Sequence, residues 1–195
     1  MTKFRTASAV PAQLQTRADE TALTISGYFA VFHSAYEIAP GVREFVDPHA
    51  FDDTLSDDIR ALMNHDTRLV LGRTAANTLR LRIDPHGLAG DITINPDDLD
   101  AMNLYARVKR GDVSQCSFGF EILDESANYR DDGSVDFTIL RVKLYEVSVV
   151  TFPAYAETSA QARSALDARR EQIQAFRNAR LQARKNALAQ LLNQK

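Results

Sequence analysis

The sequence predicts an α+β fold: a small β-barrel or twisted antiparallel sheet flanked by helices, followed by a C-terminal helical tail. Three observations carry this. Seven or eight short runs alternate apolar with polar residues and are rich in β-branched and aromatic side chains. Two stretches between them begin with an acidic or amide residue followed by proline, a helix-start signal. After Pro153 the chain contains neither glycine nor proline and is dominated by Ala, Gln, Arg and Leu. A length of 195 residues suits one globular unit with an extension rather than two domains.

In chain order, "ALTISGYFAVF" alternates cleanly, and "SAYEIAPGVREFV" places a Pro-Gly turn before a further extended piece. "DPHAFDDTLSD" offers Asp47 as a cap with Pro48 at the first helical position, so a helix is expected there. Strands follow in "DIRALMNH", "NTLRLRID" and "GLAGDITI", the last two joined by the turn signal "DPHG". "NPDDLDAMNLYARVKRG" predicts a second helix, with Asn95 as cap, Pro96 in the first turn, basic residues in the last turn and Gly111 as the stop. "VSQCSFGFEIL" predicts a strand, "DESANYRDDGS" a polar loop, and "VDFTILRVK" and "LYEVSVVTF" two more strands. In the tail, Leu166, Ile173, Phe176, Leu181, Leu188, Leu191 and Leu192 mark an apolar stripe whose phase shifts partway along.

Composition and charge bound the function. The first twenty residues have no apolar core of signal-peptide type, and no run approaches the length of a membrane span, so the expectation is a soluble chain not secreted by that route. One cysteine allows no internal disulfide, and four scattered histidines give no zinc-type ligand cluster, so neither a metal nor another cofactor is expected. The net charge of −3 conceals an asymmetry: residues 157–195 hold eight Lys or Arg against three Asp or Glu, leaving 15 against 23 for residues 1–156. The tail and the body therefore do different jobs.

Three positions could carry chemistry. In an extended "QCSFGF", Cys116, Phe118 and Phe120 face the core while Gln115, Ser117 and Gly119 face away, and open space is expected above Ser117. A nucleophilic serine needs a base and a third group that orients the base. His65 lies where the apolar run of "ALMNHD" meets a polar loop, a setting that suits a base; His33, His49 and His86 lie in turn-like polar stretches. Glu146 sits inside an apolar strand, on a face with Leu144 and Ser148, and a buried carboxylate requires a partner. That partner is either the base or an arginine such as Arg73, Arg107 or Arg110.

These stretches also carry a family resemblance. "GYFAVF", "REFVDPHAFDDTL", "ALMNHDTRLVLGRT", "GLAGDITI", "VKRGDVSQCSFGFEI" and "LYEVSVVTFPA" occur in the order and at roughly the spacing found in the prohead (capsid maturation) serine proteases of tailed bacteriophages. The resemblance covers residues 21–156, and "DPHAF" departs from it where a glycine or small residue more usually precedes "AF". It implies a fold similar to the herpesvirus assemblins, with Ser117 as nucleophile and His65 as base; the herpesvirus enzymes place a second histidine third, where the matching strand here offers Glu146.

The implied function is a serine endopeptidase that cleaves the scaffold portion of the major capsid protein, and itself, inside the assembling procapsid in the bacterial host cytoplasm. Implied partners are the major capsid protein with its scaffold segment and further copies of the chain, with no nucleic acid and no membrane. The implied organisation is a flexible segment over residues 1–20, a protease domain over 21–156 and a basic helical tail over 157–195 that targets scaffold or capsid or is cleaved off. The alternative is a non-catalytic capsid-internal scaffold or assembly protein that keeps the protease fold.

Overall fold

The computed structural model describes residues 5–8, 14–18, 22–152 and 160–192. The junctions expected at 20/21 and 156/157 lie outside these residues. One sheet contains β1 (Arg5–Ser8), β4 (Tyr36–Ala39), β5 (Val42–Val46), β6 (Arg60–Met63), β7 (Asp66–Arg73), β10 (Gln115–Tyr129) and β11 (Val135–Val150). The other contains β2 (Gln15–Ala18), β3 (Leu23–Val31), β8 (Leu79–Ile83) and β9 (Gly87–Ile94), in the order β2-β3-β9-β8.

The fold is α+β, with two corrections to the sequence expectation. Among the described residues the strands form two open sheets, because a barrel needs its edge strands hydrogen-bonded to each other and here they are not. The larger sheet is also mixed: one edge of β11 runs antiparallel to β10, while the other pairs in parallel, first with β5 over Val135–Ile139 and then with β6 over Glu146–Val149. That division lets one long strand connect two distant parts of the chain.

The β10–β11 hairpin is longer than its local polarity suggested. "DESANY", expected as loop, continues β10, and the two strands expected after it are the single strand β11. Pairing with β11 extends to Tyr129↔Val135, so the connection is short and Gly133 turns with φ 91°. Polar residues are tolerated there because the tertiary structure supplies partners, as described below for Glu125.

The helices also differ from expectation. Residues 47–57 form successive turns in which Ala50 N, Asp52 N, Thr54 N and Asp57 N each donate to the carbonyl three residues earlier, and no α-helix develops. Buried Phe51 anchors these turns, and Thr54 Oγ1 accepts from Leu144 N at 2.9 Å, an attachment that helix signals alone do not encode. Helix α1 (Leu99–Arg110) is capped by Asp98, whose carboxylate accepts from Asp100 N and Ala101 N, rather than by Asn95. It ends at Gly111 with φ 88° and buries Ala101, Leu104, Tyr105 and Val108, the i, i+3, i+4, i+7 stripe of a core-facing helix. Helix α2 (Ala160–Leu192) follows.

The main core combines Ile25, Phe29, Leu88 and Ile92 of the smaller sheet, Cys116, Phe118, Phe120, Val147 and Val149 of the larger, and Leu104 and Val108 of α1. Phe118 stacks on Phe120 at 4.6 Å and meets Phe51 edge-on at 5.5 Å. A second cluster joins Ile38, Val42, Val135 and Phe137 to Ile173, with Leu166 and Phe176 packed against it, so the first half of the tail stripe is covered by the body of the protein. Leu181 is exposed, and the side chains of Leu188, Leu191 and Leu192 lie outside the described residues. No helix among the described residues is long and apolar enough to cross a membrane.

Candidate active site

Strand alternation places Cys116, Phe118 and Phe120 in the core, as expected. Burial pushes the Cys116 thiol pKa up, away from the thiolate form that nucleophilic chemistry requires. Ser117 lies on the opposite face, but the open space expected above it is absent: the residue is 1% exposed. His65 Nε2 lies 2.9 Å from its Oγ, and β1 runs antiparallel along the outer edge of β10 with Ser8 opposite Ser117.

Directly opposed residues of paired strands share a face. Ser117 is opposite Ser148 and Gly119 is opposite Glu146, so this face of the hairpin presents two hydroxyls and one carboxylate. The missing side chain at Gly119 leaves the carboxylate's position uncontested. A register shift follows at once: Phe120 pairs with Leu144, leaving Tyr145 as an extra residue on β11. This bulge breaks the alternation, so Glu146 does not share a face with Leu144 as expected: Leu144, Val147 and Val149 lie in the core, Glu146 and Ser148 lie on the face of Ser117, and Tyr145 is partly exposed, its hydroxyl donating to Glu121 Oε2.

His65 arrives from a different quarter of the chain. It occupies the two-residue turn between β6 and β7, where Met63 pairs with Asp66 and both Asn64 and His65 have positive φ, 52° and 61°. Such φ values are what a type I′ hairpin turn requires. They cost roughly 1–2 kcal/mol for a non-glycine residue, with asparagine better tolerated. The surroundings brace the turn. Asn64 N donates to Val149 O at 3.0 Å, Asn64 Oδ1 accepts from Thr151 N at 2.8 Å, and His65 N donates to Ser148 Oγ at 3.2 Å. Parallel pairing of β6 with β11 sets the turn at the end of the hairpin that carries Ser117.

His65 Nδ1 lies 2.7 Å from Glu146 Oε1. An ionised carboxylate can only accept, so Nδ1 carries the proton, and Nε2 of the neutral ring is left to accept from the Ser117 hydroxyl. Ser148 Oγ donates to the second carboxylate oxygen, Oε2, at 2.6 Å. Glu146 is buried whereas the imidazole is 26% exposed, so the carboxylate side of this chain of bonds is the dry one. A hydroxyl bonded to an imidazole that is backed by a buried carboxylate can lose its proton to the ring while attacking a carbonyl.

Ser117, His65 and Glu146 are thus brought together from two strands and a turn. Of the arginine alternatives for Glu146, Arg73 pairs with Asp58 and Arg110 with Asp112. Asp66, beside His65 in sequence, is held by the Arg68 guanidinium, which lowers its carboxyl pKa to about 2. His49 pairs with Asp52, and His86 packs edge-on against Tyr28. Among the described residues no three His, Cys, Asp or Glu side chains are grouped to hold a metal ion. Sequence reasoning gave no role to Asn64 or Ser148. The signal for Asn64 was present, since an Asn at a two-residue strand connection marks a type I′ turn. Ser148 was placed on the face of Glu146, but its bond to a backbone 83 positions away had no local signature.

No curated protein matches the chain. The structure is similar to that of the bacteriophage T4 capsid assembly protease, with a TM-score of 0.48 and 11% identity over 77% of this chain and 97% of that one. The family model described as caudovirus prohead serine protease matches residues 12–175, most of the chain and every strand and turn from which the Ser117, His65 and Glu146 arrangement is built. The chain belongs to the caudovirus prohead serine protease family.

Proposed function

We propose that the protein is a serine endopeptidase of prohead maturation in which Ser117 attacks the scissile carbonyl, His65 takes and returns the proton, and Glu146 orients His65 and stabilises its charged form. The observation that carries this is the unbroken path from Ser117 Oγ through both ring nitrogens of His65 to Glu146 Oε1, with bonds of 2.9 and 2.7 Å. Proton transfer within one hydrogen-bonded unit is what lets a hydroxyl act at neutral pH.

The substrate is the scaffold portion of the major capsid protein, bound as an extended strand, and afterwards the chain itself. Support for strand binding comes from the outer edge of β10, which already accepts an antiparallel strand over Ser117–Phe120. That strand is the chain's own residues 5–8, so a segment of the protease runs beside the proposed nucleophile, a placement that favours self-cleavage. Cleavage takes place inside the assembling procapsid. The face of α2 beyond Phe176, with Leu181 exposed, is the part of the tail that recruits scaffold or a second copy.

Co-expression with the capsid protein tests the reading. A shortened capsid band that disappears with Ser117→Ala supports it, together with fluorophosphonate labelling of the wild-type chain at Ser117. An unchanged band and no label in assembling particles would leave the non-catalytic scaffold reading in its place.

A further inference from the structure

We infer that Ser148 is a positioning residue for the proposed His65–Glu146 pair, and the inference rests on the catalytic reading above. Its hydroxyl oxygen accepts from His65 N at 3.2 Å and donates to Glu146 Oε2 at 2.6 Å, while the His65 ring reaches the other carboxylate oxygen at 2.7 Å. Ser148, Glu146 and His65 therefore close a ring of three hydrogen bonds in which His65 is held twice, once by its backbone and once by its imidazole. The backbone bond helps hold a turn in which His65, unlike Asn64, has little intrinsic preference for positive φ. The carboxylate bond sets the rotation of the ring. Ser148 is the one atom group that connects the two, and at 0% exposure no water can replace it without repacking.

The chemistry explains why a hydroxyl is needed. When His65 takes the Ser117 proton, Glu146 must remain an anion facing Nδ1. A donor on Oε2 stabilises that anion and keeps the carboxylate from turning its other oxygen toward the ring. A purely structural serine would satisfy the buried Oε2 with the same bond, but its loss would lower stability and leave turnover of the folded enzyme intact. A positioning serine predicts the reverse emphasis, since misplacing a reacting group by about 1 Å can cost around 100-fold.

The test uses the full chain and four variants. Ser148→Ala is expected to lower kcat on a peptide substrate by roughly 100-fold with KM within about twofold. Ser148→Thr and Ser148→Val are nearly equal in shape and differ in the hydroxyl, so Thr is expected to retain most of the turnover while Val behaves like Ala; this pair decides the matter if Ala does not fold. Without substrate, the low-field proton resonance of His65 Nδ1 is expected to move upfield or broaden in the Ala and Val variants, and to vanish in His65→Ala, which identifies it. Equal kcat for Thr and Val, or an unmoved resonance in Val, overturns the assignment. Because the resonance is recorded without turnover, it judges Ser148 even if the chain hydrolyses nothing, an outcome that would instead sink the catalytic reading.

Discussion

The two ends of the β10–β11 hairpin both bury carboxylates, and they partner them in opposite ways. At the end carrying Ser117, Glu146 is met by an imidazole and a hydroxyl. At the other end, Asp136 is met by Arg43 and Arg130, and Glu44 and Glu125 are both met by Arg169, which is itself 2% exposed and lies 4.2 Å over the Phe137 ring. An arginine never gives up its proton, so these ion pairs have no group that passes one on and serve to hold β5, α2 and the hairpin together. A carboxylate facing a histidine has a partner that can change charge. The choice of partner, rather than burial, separates a site able to move protons from a structural clasp.

The sharpest way to break this comparison is at Ser117 and His65. Ser117→Ala and His65→Ala are each expected to lose about a million-fold in kcat, because nucleophile and base act as one unit. Thermal unfolding should remain close to wild type for Ser117→Ala. Cys116→Ser, one position away on the core face, is expected to keep its activity and lose about 1–3 kcal/mol of stability from a buried hydroxyl. An inactive but well-folded Cys116→Ser would point to thiol chemistry.

Glu146→Gln comes next in size. It keeps the shape and removes the charge, and a loss on the order of ten-thousand-fold in kcat is expected from steady-state rates. If it unfolded the chain while leaving residual folded enzyme fully active, the two ends of the hairpin would be alike after all.

Arg169→Met addresses the clasp. It removes the buried guanidinium that bonds Glu44 and Glu125, and removing one member of a buried ion pair costs roughly 3–5 kcal/mol. A fall in Tm of about 10 °C is expected by calorimetry, with kcat unchanged at temperatures where the variant is folded. A matching fall in kcat would show that the clasp is coupled to the site.

The smallest effect concerns pH. Burial works to raise the Asp136 carboxyl pKa, but Arg43 and then Arg130 more than offset it, so the pKa lies below its ordinary value. A depressed native pKa gives stability that is present above the unfolded value, near 3.9, and is lost as pH falls through the native one. Asp136→Asn should therefore have a lower Tm than wild type at pH 6 and a flatter decline between pH 5 and pH 2, by a few degrees. A parallel decline would mean that Asp136 carries none of the acid sensitivity.

Much of the site was legible because the side-chain period of a strand is local. Cys116, Phe118 and Phe120 could be assigned to one face and Ser117 to the other from alternation alone, and Glu146 stood out as a charge in an apolar run. Helix α1 was legible from Pro96, its basic last turn and Gly111, although its cap moved to Asp98 because the carboxylate at that position, not the Asn95 amide, reaches the first free amides. The length of the hairpin was not legible, since Glu125 looks like a loop residue until Arg169, 44 positions later, is seen beside it.

The sequence by itself determined which residues of β10 point into the core and where α1 stops, and it singled out Ser117, His65 and Glu146 as candidates. Those properties follow from φ/ψ preference and the chemical identity of single residues. Tertiary structure decided that β11 divides its free edge between β5 and β6, that a bulge at Tyr145 moves Glu146 from the core face of Leu144 to the face of Ser117, and that a strained Asn64-His65 turn is carried over Ser117. Those properties depend on contacts between positions from 24 (Phe120 and Leu144) to 93 (Val42 and Val135) apart, where the free energy of pairing and burial, shared among many residues, outweighs any preference that a short stretch can express.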